Sequence, residues 1–358
     1  MTAAPRSVLL TPNLLGADGV SCLSRQIVRA LPEPVVTVSL HDAPVAGDGR
    51  WAAGGDRVRF VTNAIRLGLR CDRETVIVCS HVHLAPVARV MAWRGARVIH
   101  VLCGIEAWVP LRAAERWALG TGRLVAISAH TARGFRAANP GFRDVAIDVC
   151  HPGLPPHDID LSETPADLAA LIVGRMSAAE AYKGHEELLR AWPGVLARHP
   201  RAQLWIVGDG DDRPRLEALA AQLGVAAAVT FTGRVSDVEL DRRYRRCRFF
   251  VMPSRHEGFG LVFLEAMRAG KACIGAPGAA EEIIRDGVTG LIVDAARAGE
   301  LSSAVVKLFD EPDRCDAFGR AGAARFLAEF TDARFAARFA PAEPPALSCG
   351  PALKRPVS

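Results

Sequence analysis

No stretch of this 358-residue sequence approaches the roughly 20 uninterrupted apolar residues of a membrane-spanning helix. The start, MTAAPRSVLLTPNLLGADGVS, has one Arg before a short strand-like run and no signal-peptide cleavage pattern, so the cytoplasm is the expected compartment. Nine cysteines, at 22, 71, 79, 103, 150, 247, 273, 315 and 349, include no C-x-x-C pair. Such an odd, unpatterned set argues against a disulfide framework or a zinc cluster. Several lie in apolar runs, as Cys79 does in VIVCS and Cys273 in KACIGA, where Cys is usually a small core residue. No Lys/Arg block or interleaved aromatic motif occurs, which counts against nucleic acid as a partner. LLTPNLLGADG lacks the glycine fingerprint of a dinucleotide-binding turn, which disfavours a dehydrogenase.

What is present is globular. Half the residues are apolar and 23% are charged. The length suits two domains, each with its own core. The formal charge of +5 is uneven: residues 1–155 hold 18 Arg against 11 acids, a net of +7, which leaves the remainder near −2. A basic first half favours attraction to an anionic membrane surface or a polyphosphate. The segment WVPLRAAERWALGTGR (108–123) is basic and aromatic, and reads either as a membrane-surface element or as an ordinary amphipathic helix.

Short β-branched runs alternate with helical patterns. The first half offers strands at 7–13, 35–40, 57–62, 75–80, 97–103, 123–128 and 145–150, with helical patterns such as DGVSCLSRQIVRAL and APVARVMAWRG between them. The second half places strands at 171–176, 202–208, 229–233, 248–254, 271–276 and 289–294, nearly every one followed by a helix-length segment. Strands apolar on both faces and separated by helices form parallel sheets covered on both sides. The expected fold is α/β, with two doubly wound, Rossmann-like domains facing a cleft. The expected boundaries are 1–155 for the first domain, 156–169 for a Pro-rich linker and 170–330 for the second domain. A C-terminal helix and disordered tail are expected over 331–358.

The strand ends carry the candidate chemistry. Gly174-Arg175 ends one strand and Lys183-Gly184 opens the next helix, two cations placed for a diphosphate or, alternatively, a surface Arg and a capping Lys. IVGDGDD (206–212) lacks the third glycine of G-x-G-x-x-G, and its acids read better as caps of the helix begun by Pro214 than as metal ligands. In SRHEGFGLVFLEAMRAG a strand ends at Ser254 and a glycine turn opens a helix. Backbone N–H groups at 258–261 then face the cleft, Glu257 precedes the turn and Glu265 lies two helical turns beyond it. Taken in isolation, the two Glu residues read better as a cap and a solvated helix position than as ligand contacts.

They are not isolated. Gly-Arg, Lys-Gly, VGDG, FTGRV, MPSRHEGFGLVFLEAMRAGKACIG and GVTGLIVD follow in this order from about 171 to 330. This series resembles the retaining nucleotide-sugar glycosyltransferases of family 4, glycosyl transferases group 1, which have the two-domain GT-B fold. The resemblance continues more loosely through LLGADGVSCLSRQIVRAL, SHVHLAPVARV, CGIEAWVPLRAAERWALGTGRLVAISAHTARGF and the hinge CHPGL.

By that resemblance, Arg175 and Lys183 neutralise a nucleotide diphosphate and assist its departure without a metal. Gly233, Arg234 and Val235 border the base, and Glu265 binds the ribose hydroxyls. Glu257 binds the donor sugar, while Gly258, Phe259, Gly260 and Leu261 position sugar and phosphate through their amides. Gly16, Asp18, Gly19, His83, Cys103 and Glu106 fall on the acceptor or donor-sugar side. The family often shows an H-G-x-E-like segment where this sequence reads Cys103-Gly104-Ile105-Glu106. His100 lies three residues earlier on the opposite strand face and is no substitute. The departure bears on sugar identity and on full activity. The resemblance implies a retaining hexosyltransferase that uses GDP-mannose or UDP-hexose and a glycan or lipid-linked acceptor. No separate cofactor is expected, since the nucleotide-sugar is a substrate. Peripheral contact with an anionic inner membrane face is expected. Other chemistries of the same fold, namely sucrose-phosphate or glycogen synthesis and epimerisation, fit the short length and E-x7-E spacing less well. The alternative from another class is a catalytically impaired nucleotide-sugar-binding protein of the same fold.

Overall fold

The computed structural model describes residues 5–16, 18–44, 50–156 and 168–340. Most of the expected linker (157–167) and the expected disordered tail (341–358) lie outside the described residues. The first sheet contains β1 (Ser7–Thr11), β2 (Val35–Ser39), β3 (Trp51–Ala52), β4 (Val76–Cys79), β5 (Arg97–Leu102), β6 (Arg123–Ala126) and β7 (Ile147–Val149). The second contains β8 (Ala169–Val173), β9 (Gln203–Val207), β10 (Val229–Gly233), β11 (Phe249–Met252), β12 (Ala272–Gly275) and β13 (Gly290–Ile292). The spatial orders are β3-β2-β1-β4-β5-β6-β7 and β10-β9-β8-β11-β12-β13, with parallel pairing throughout. Each order reverses once, between β1 and β4 and between β8 and β11. At such switch points the crossover helices leave to opposite faces and a crevice opens at the carboxyl strand ends.

The helices of the first domain are α1 (Gly19–Ala30), α2 (Arg57–Gly68), α3 (Ala85–Met91), α4 (Ala113–Leu119) and α5 (Ala129–Ala138). Those of the second are α6 (His185–Arg198), α7 (Arg213–Gln222), α8 (Asp237–Arg246), α9 (Leu261–Arg268), α10 (Glu300–Asp310), α11 (Pro312–Glu329) and α12 (Asp332–Phe339). Fully buried strands such as β4, β11 and β12 explain the unbroken apolar runs of the sequence. Beyond the second sheet the chain turns back: Leu154 exchanges backbone hydrogen bonds with Phe330 (2.9 Å) and Asp332 (3.0 Å), and α12 packs against α1. A Cβ at Gly153 would lie 2.3 Å from the Thr331 carbonyl, so only glycine lets these segments meet.

One expected strand is a helix. Residues 57–62, RVRFVT, alternate like a half-buried strand, but the structure places them at the start of α2. Asp56 caps it by accepting from the amides of Val58 (2.8 Å) and Arg59 (3.1 Å). Phe60, Ala64 and Leu67 then bury a helical stripe. The strand of this region, β3, is two residues long, too short to leave a periodic signal.

Candidate active site

The floor of the cleft is built on the carboxyl end of β8. Arg175 follows that strand, half-exposed, and its guanidinium donates to both Glu180 oxygens at 2.5 and 3.2 Å. Lys183 is largely buried, with Nζ 3.4 Å from Glu257 Oε2 and 4.0 Å from Glu180 Oε2. Glu180, unremarked in the sequence, therefore stands between the two cations. Gly184 adopts φ +86°, and a Cβ there would meet Pro253 Cγ at 2.6 Å, so glycine lets the start of α6 close onto the end of β11.

The glycines of VGDG answer to the same packing. A Cβ at Gly208 would lie 2.0 Å from the Gly174 carbonyl oxygen, and one at Gly210 would lie 2.0 Å from that of Met176. Asp212 forms a two-pronged pair with Arg215 at 2.7 and 2.8 Å, Asp211 accepts from the Ala178 amide, and Asp209 accepts from the Gly210 amide. Of these acids, Asp211 holds the loop that follows Arg175. Gly233 ends the edge strand β10 with φ +70°, followed by Arg234 and Val235. Three strand spacings separate β10 from β11, so the floor extends for about 14 Å.

The glycine turn after β11 leads through Gly260, φ +101°, into α9. Glu265 sits on that helix with one oxygen held by the Tyr244 hydroxyl at 2.8 Å. Burial pushes its carboxyl above the usual range, against the pull of that hydrogen bond. Tyr244 is a site residue that no motif announced, and a lone Tyr in an Arg-rich helix gave no signal for it.

Across the cleft stand the carboxyl ends of the first-domain strands. A Cβ at Gly258 would lie 2.5 Å from the Cys103 carbonyl oxygen, and one at Gly104, φ +145°, would lie 3.1 Å from Gly258 Cα. Two glycines thus let the opposing backbones touch. The Cys103 thiol donates to the Ser80 carbonyl (3.1 Å), and Glu106 Oε1 accepts from the Cys103 amide (2.8 Å). The thiol is spent on β4, and burial raises both groups above their ordinary pKa values. His100 is buried in the cluster formed by Val98 and Leu102, opposite the face of Ile99, Val101 and Cys103. His83 is bound to Glu115 of α4 (2.7 Å). Asp18 caps α1, accepting from Val20 and Ser21 amides, both at 3.0 Å. Gly16 has no room for a Cβ, which would meet Asp18 and Ser21 at 2.6 Å, while Gly19 faces open space.

The contact that locks the domains together was not read from the sequence. Glu282, from the second domain, accepts from the amides of Ala129 (2.8 Å) and His130 (2.6 Å), the first two residues of α5. His151 of the hinge reaches the same carboxylate at 3.0 Å and stacks on Phe259 of the glycine turn, with ring centroids 5.4 Å apart. The Ser128 and Thr131 hydroxyls donate to the Gly258 carbonyl at 2.6 and 3.1 Å. Burial alone would raise the Glu282 pKa, but His151 and the two amides outweigh it and hold the carboxyl below its usual range.

Two facing doubly wound domains, with this cleft between their carboxyl strand ends, define the GT-B architecture. Residues 161–325 match the model of the family described as glycosyl transferases group 1. A GDP-mannose-dependent alpha-(1-6)-phosphatidylinositol monomannoside mannosyltransferase of Mycobacterium tuberculosis is 40% identical over 148 residues, 39% of this chain and 38% of the relative. A D-inositol 3-phosphate glycosyltransferase of Thermobispora bispora is 36% identical over 187 residues, 49% of this chain and 43% of that protein. The chain thus spans under half the length of these relatives. Among solved structures, Anabaena HepE in complex with UDP and glucose shares the fold at a TM-score of 0.75 and 18% identity, over 94% of this chain and 98% of HepE. Sucrose-phosphate synthase of Thermosynechococcus elongatus does so at 0.71 and 19%, over 93% and 96%.

Proposed function

We propose that the protein is a retaining hexosyltransferase. It moves a hexose from GDP-mannose or a UDP-hexose to a hydroxyl of a glycan or lipid-linked acceptor, at the cytoplasmic face of an anionic membrane. The observation that carries the reading is the charge arrangement at the end of β8. Two cations are paired there with Glu180 and Glu257, in a cleft facing Gly104. A diphosphate replaces both carboxylates on Arg175 and Lys183. That exchange releases Glu257, next to the turn, for the hydroxyls of the sugar. The bond from the anomeric carbon to the diphosphate breaks, a bond to the acceptor oxygen forms on the same face, and the acceptor proton passes to the leaving phosphate. The chain supplies positive charge and amide donors where negative charge develops. The relatives named for GDP-mannose support the donor class, and the basic first domain supports a membrane-borne acceptor.

The reading is tested with a panel of GDP- and UDP-hexoses, following thermal stabilisation, slow donor hydrolysis and transfer. Stabilisation together with hydrolysis is the expected result. Binding without any turnover would instead favour the impaired binding protein, the reading to which Cys103 in place of the family His points. EDTA is expected to leave the rate unchanged; a strong magnesium or manganese requirement would move the diphosphate role to the acids at 209–212.

Two substitutions divide the donor. Glu265→Ala is expected to weaken nucleotide-sugar affinity by about 1.5–3 kcal/mol, the range for hydrogen bonds to a charged group. Calorimetry that finds full affinity in the folded variant would refute the ribose role. Glu257→Ala is expected to spare free GDP or UDP binding and to reduce turnover. An equal loss of nucleoside diphosphate and nucleotide-sugar binding would contradict that assignment.

A further inference from the structure

The first domain also carries a cavity of about 1050 Å³ at the edge of its sheet away from the cleft. It opens where β4, β5 and β6 begin, at Val76, Arg97 and Arg123, whereas the candidate active site lies where the same strands end. β5 alone has six residues, so the two sites stand about 20 Å apart. Ile65, Leu69, Val90, Trp93 and Trp117 line this cavity. Trp93 is 67% exposed and Trp117 53% exposed, so two large aromatic side chains of the lining stay open to solvent. The volume and apolar lining are those of a ligand site, and an exposed patch of this kind marks a binding surface.

The cavity continues into an apolar stripe. On α2, Val58, Val61, Ile65 and Leu69 are all exposed and share one helix face, whereas Phe60, Ala64 and Leu67 occupy the opposite, buried face. A helix that is apolar on both sides has one face without a partner in its own domain. Because α2 follows the carboxyl end of β3, the stripe starts at the cleft end and runs about 16 Å along the side of the domain to the cavity.

The charges around it choose the occupant. Arg89, Arg97 and Arg123 lie on the cavity wall, with Arg89 stacked over the Trp117 ring at 5.4 Å. Arg57, Arg59 and Arg66 flank the stripe on α2, in a domain whose net charge is +7. Apolar depth, exposed tryptophans and surrounding guanidinium groups match a bilayer lipid with an anionic headgroup. We propose that this cavity takes an acyl chain of an anionic membrane lipid, with Trp93 and Trp117 at the headgroup level and α2 lying along the surface. The proposal rests on the membrane contact put forward above, and replaces a diffuse electrostatic contact with a defined lipid site. The domain then lies on its side, so that an acceptor in the same bilayer reaches the cleft laterally. The proposal moves the membrane element read as one option at 108–123, of which Trp117, Thr121, Gly122 and Arg123 line the cavity.

The test uses the full chain and vesicles of phosphatidylcholine with and without phosphatidylglycerol, some carrying brominated acyl chains. The expected results are flotation with the anionic vesicles, quenching of tryptophan fluorescence by the brominated chains, and partial retention at about 0.5 M salt, where charges are screened beyond about 4 Å. Trp93→Ala with Trp117→Ala is expected to abolish quenching and weaken vesicle binding at least tenfold, about 1.4 kcal/mol. Its melting temperature and its binding of nucleoside diphosphate should stay those of the parent. Leu69→Glu is expected to act in the same direction. Unchanged quenching in the double variant, or equal binding to neutral vesicles, overturns the lipid site. So does self-association in solution that disappears in the double variant, because a second copy would then cover the face. A protein that transfers sugar but binds no vesicle sinks this site alone, and one that inserts but never binds a nucleotide sinks the catalytic reading alone.

Discussion

The double variant Arg175→Ala, Lys183→Ala is expected to fold normally and to lose sugar transfer by about 10³-fold or more. Removing a single preorganised donor to a developing negative charge costs about 10²–10³ in turnover, and here both cations go. The fold should survive because Arg175 is well exposed and its ion pair with Glu180 lies near the surface, where such pairs contribute about 0–1 kcal/mol. The single variants separate the two roles. Lys183, mostly buried and 3.4 Å from Glu257, is expected to be the more costly loss, because its removal leaves that carboxylate facing the leaving phosphate uncompensated. Initial rates at saturating donor, with donor affinity by calorimetry, give the answer. A double variant that transfers sugar at the parental rate would remove the electrostatic mechanism altogether.

Much of the second domain was legible because its signals are local. Each strand there is a short apolar run, and each loop at a carboxyl strand end carries glycines or charges at fixed positions. Gly174-Arg175, Lys183-Gly184 and Glu257-Gly258 could be placed by sequence order alone. RVRFVT in the first domain misled because α2 is apolar on two faces. A helix with a second apolar stripe in solvent imitates the alternation of a strand, and the feature that hid the helix is the one that points to the lipid site. Tyr244, Glu180 and Glu282 were not legible for a different reason. Tyr244 and Glu282 act on partners brought close only by folding, Glu265 21 positions away and residues 129 and 130 over 150 positions away, whereas Glu180 pairs with nearby Arg175 and Lys183 but lies outside every motif read in the sequence. The same holds for Cys103. Its position at the strand end was readable, but its hydrogen bond to the Ser80 carbonyl depends on strand pairing in three dimensions.

Glu282→Ala is expected to slow transfer about 10²-fold while leaving donor affinity intact, because misplacement of about 1 Å away from the chemistry costs that much. The residues proposed for the nucleotide belong to the second domain, whereas Glu282 ties that domain to the start of α5 and to hinge residue His151. Without its carboxylate, the Ala129 and His130 amides lose their acceptor, at about 1–3 kcal/mol for each that stays buried. The Gly258 turn then keeps the Ser128 and Thr131 hydroxyls and the His151–Phe259 stack to hold it against Cys103 and Gly104. Glu282→Gln should restore part of the rate, since its amide oxygen still accepts one backbone hydrogen bond while its NH2 group opposes the second. The carboxyl is held below its ordinary pKa by these partners, so it stabilises the closed pair of domains above the usual carboxylate range. That stabilisation is lost as pH falls through the lowered folded value, and acid should therefore open the parent protein but not the Gln variant over this window. Small-angle scattering against pH, alongside turnover and donor affinity for the three proteins, distinguishes a clasp from general destabilisation. A Glu282→Ala protein that turns over at the parental rate, or that loses donor affinity in step with its rate, would show that the contact does not position the cleft.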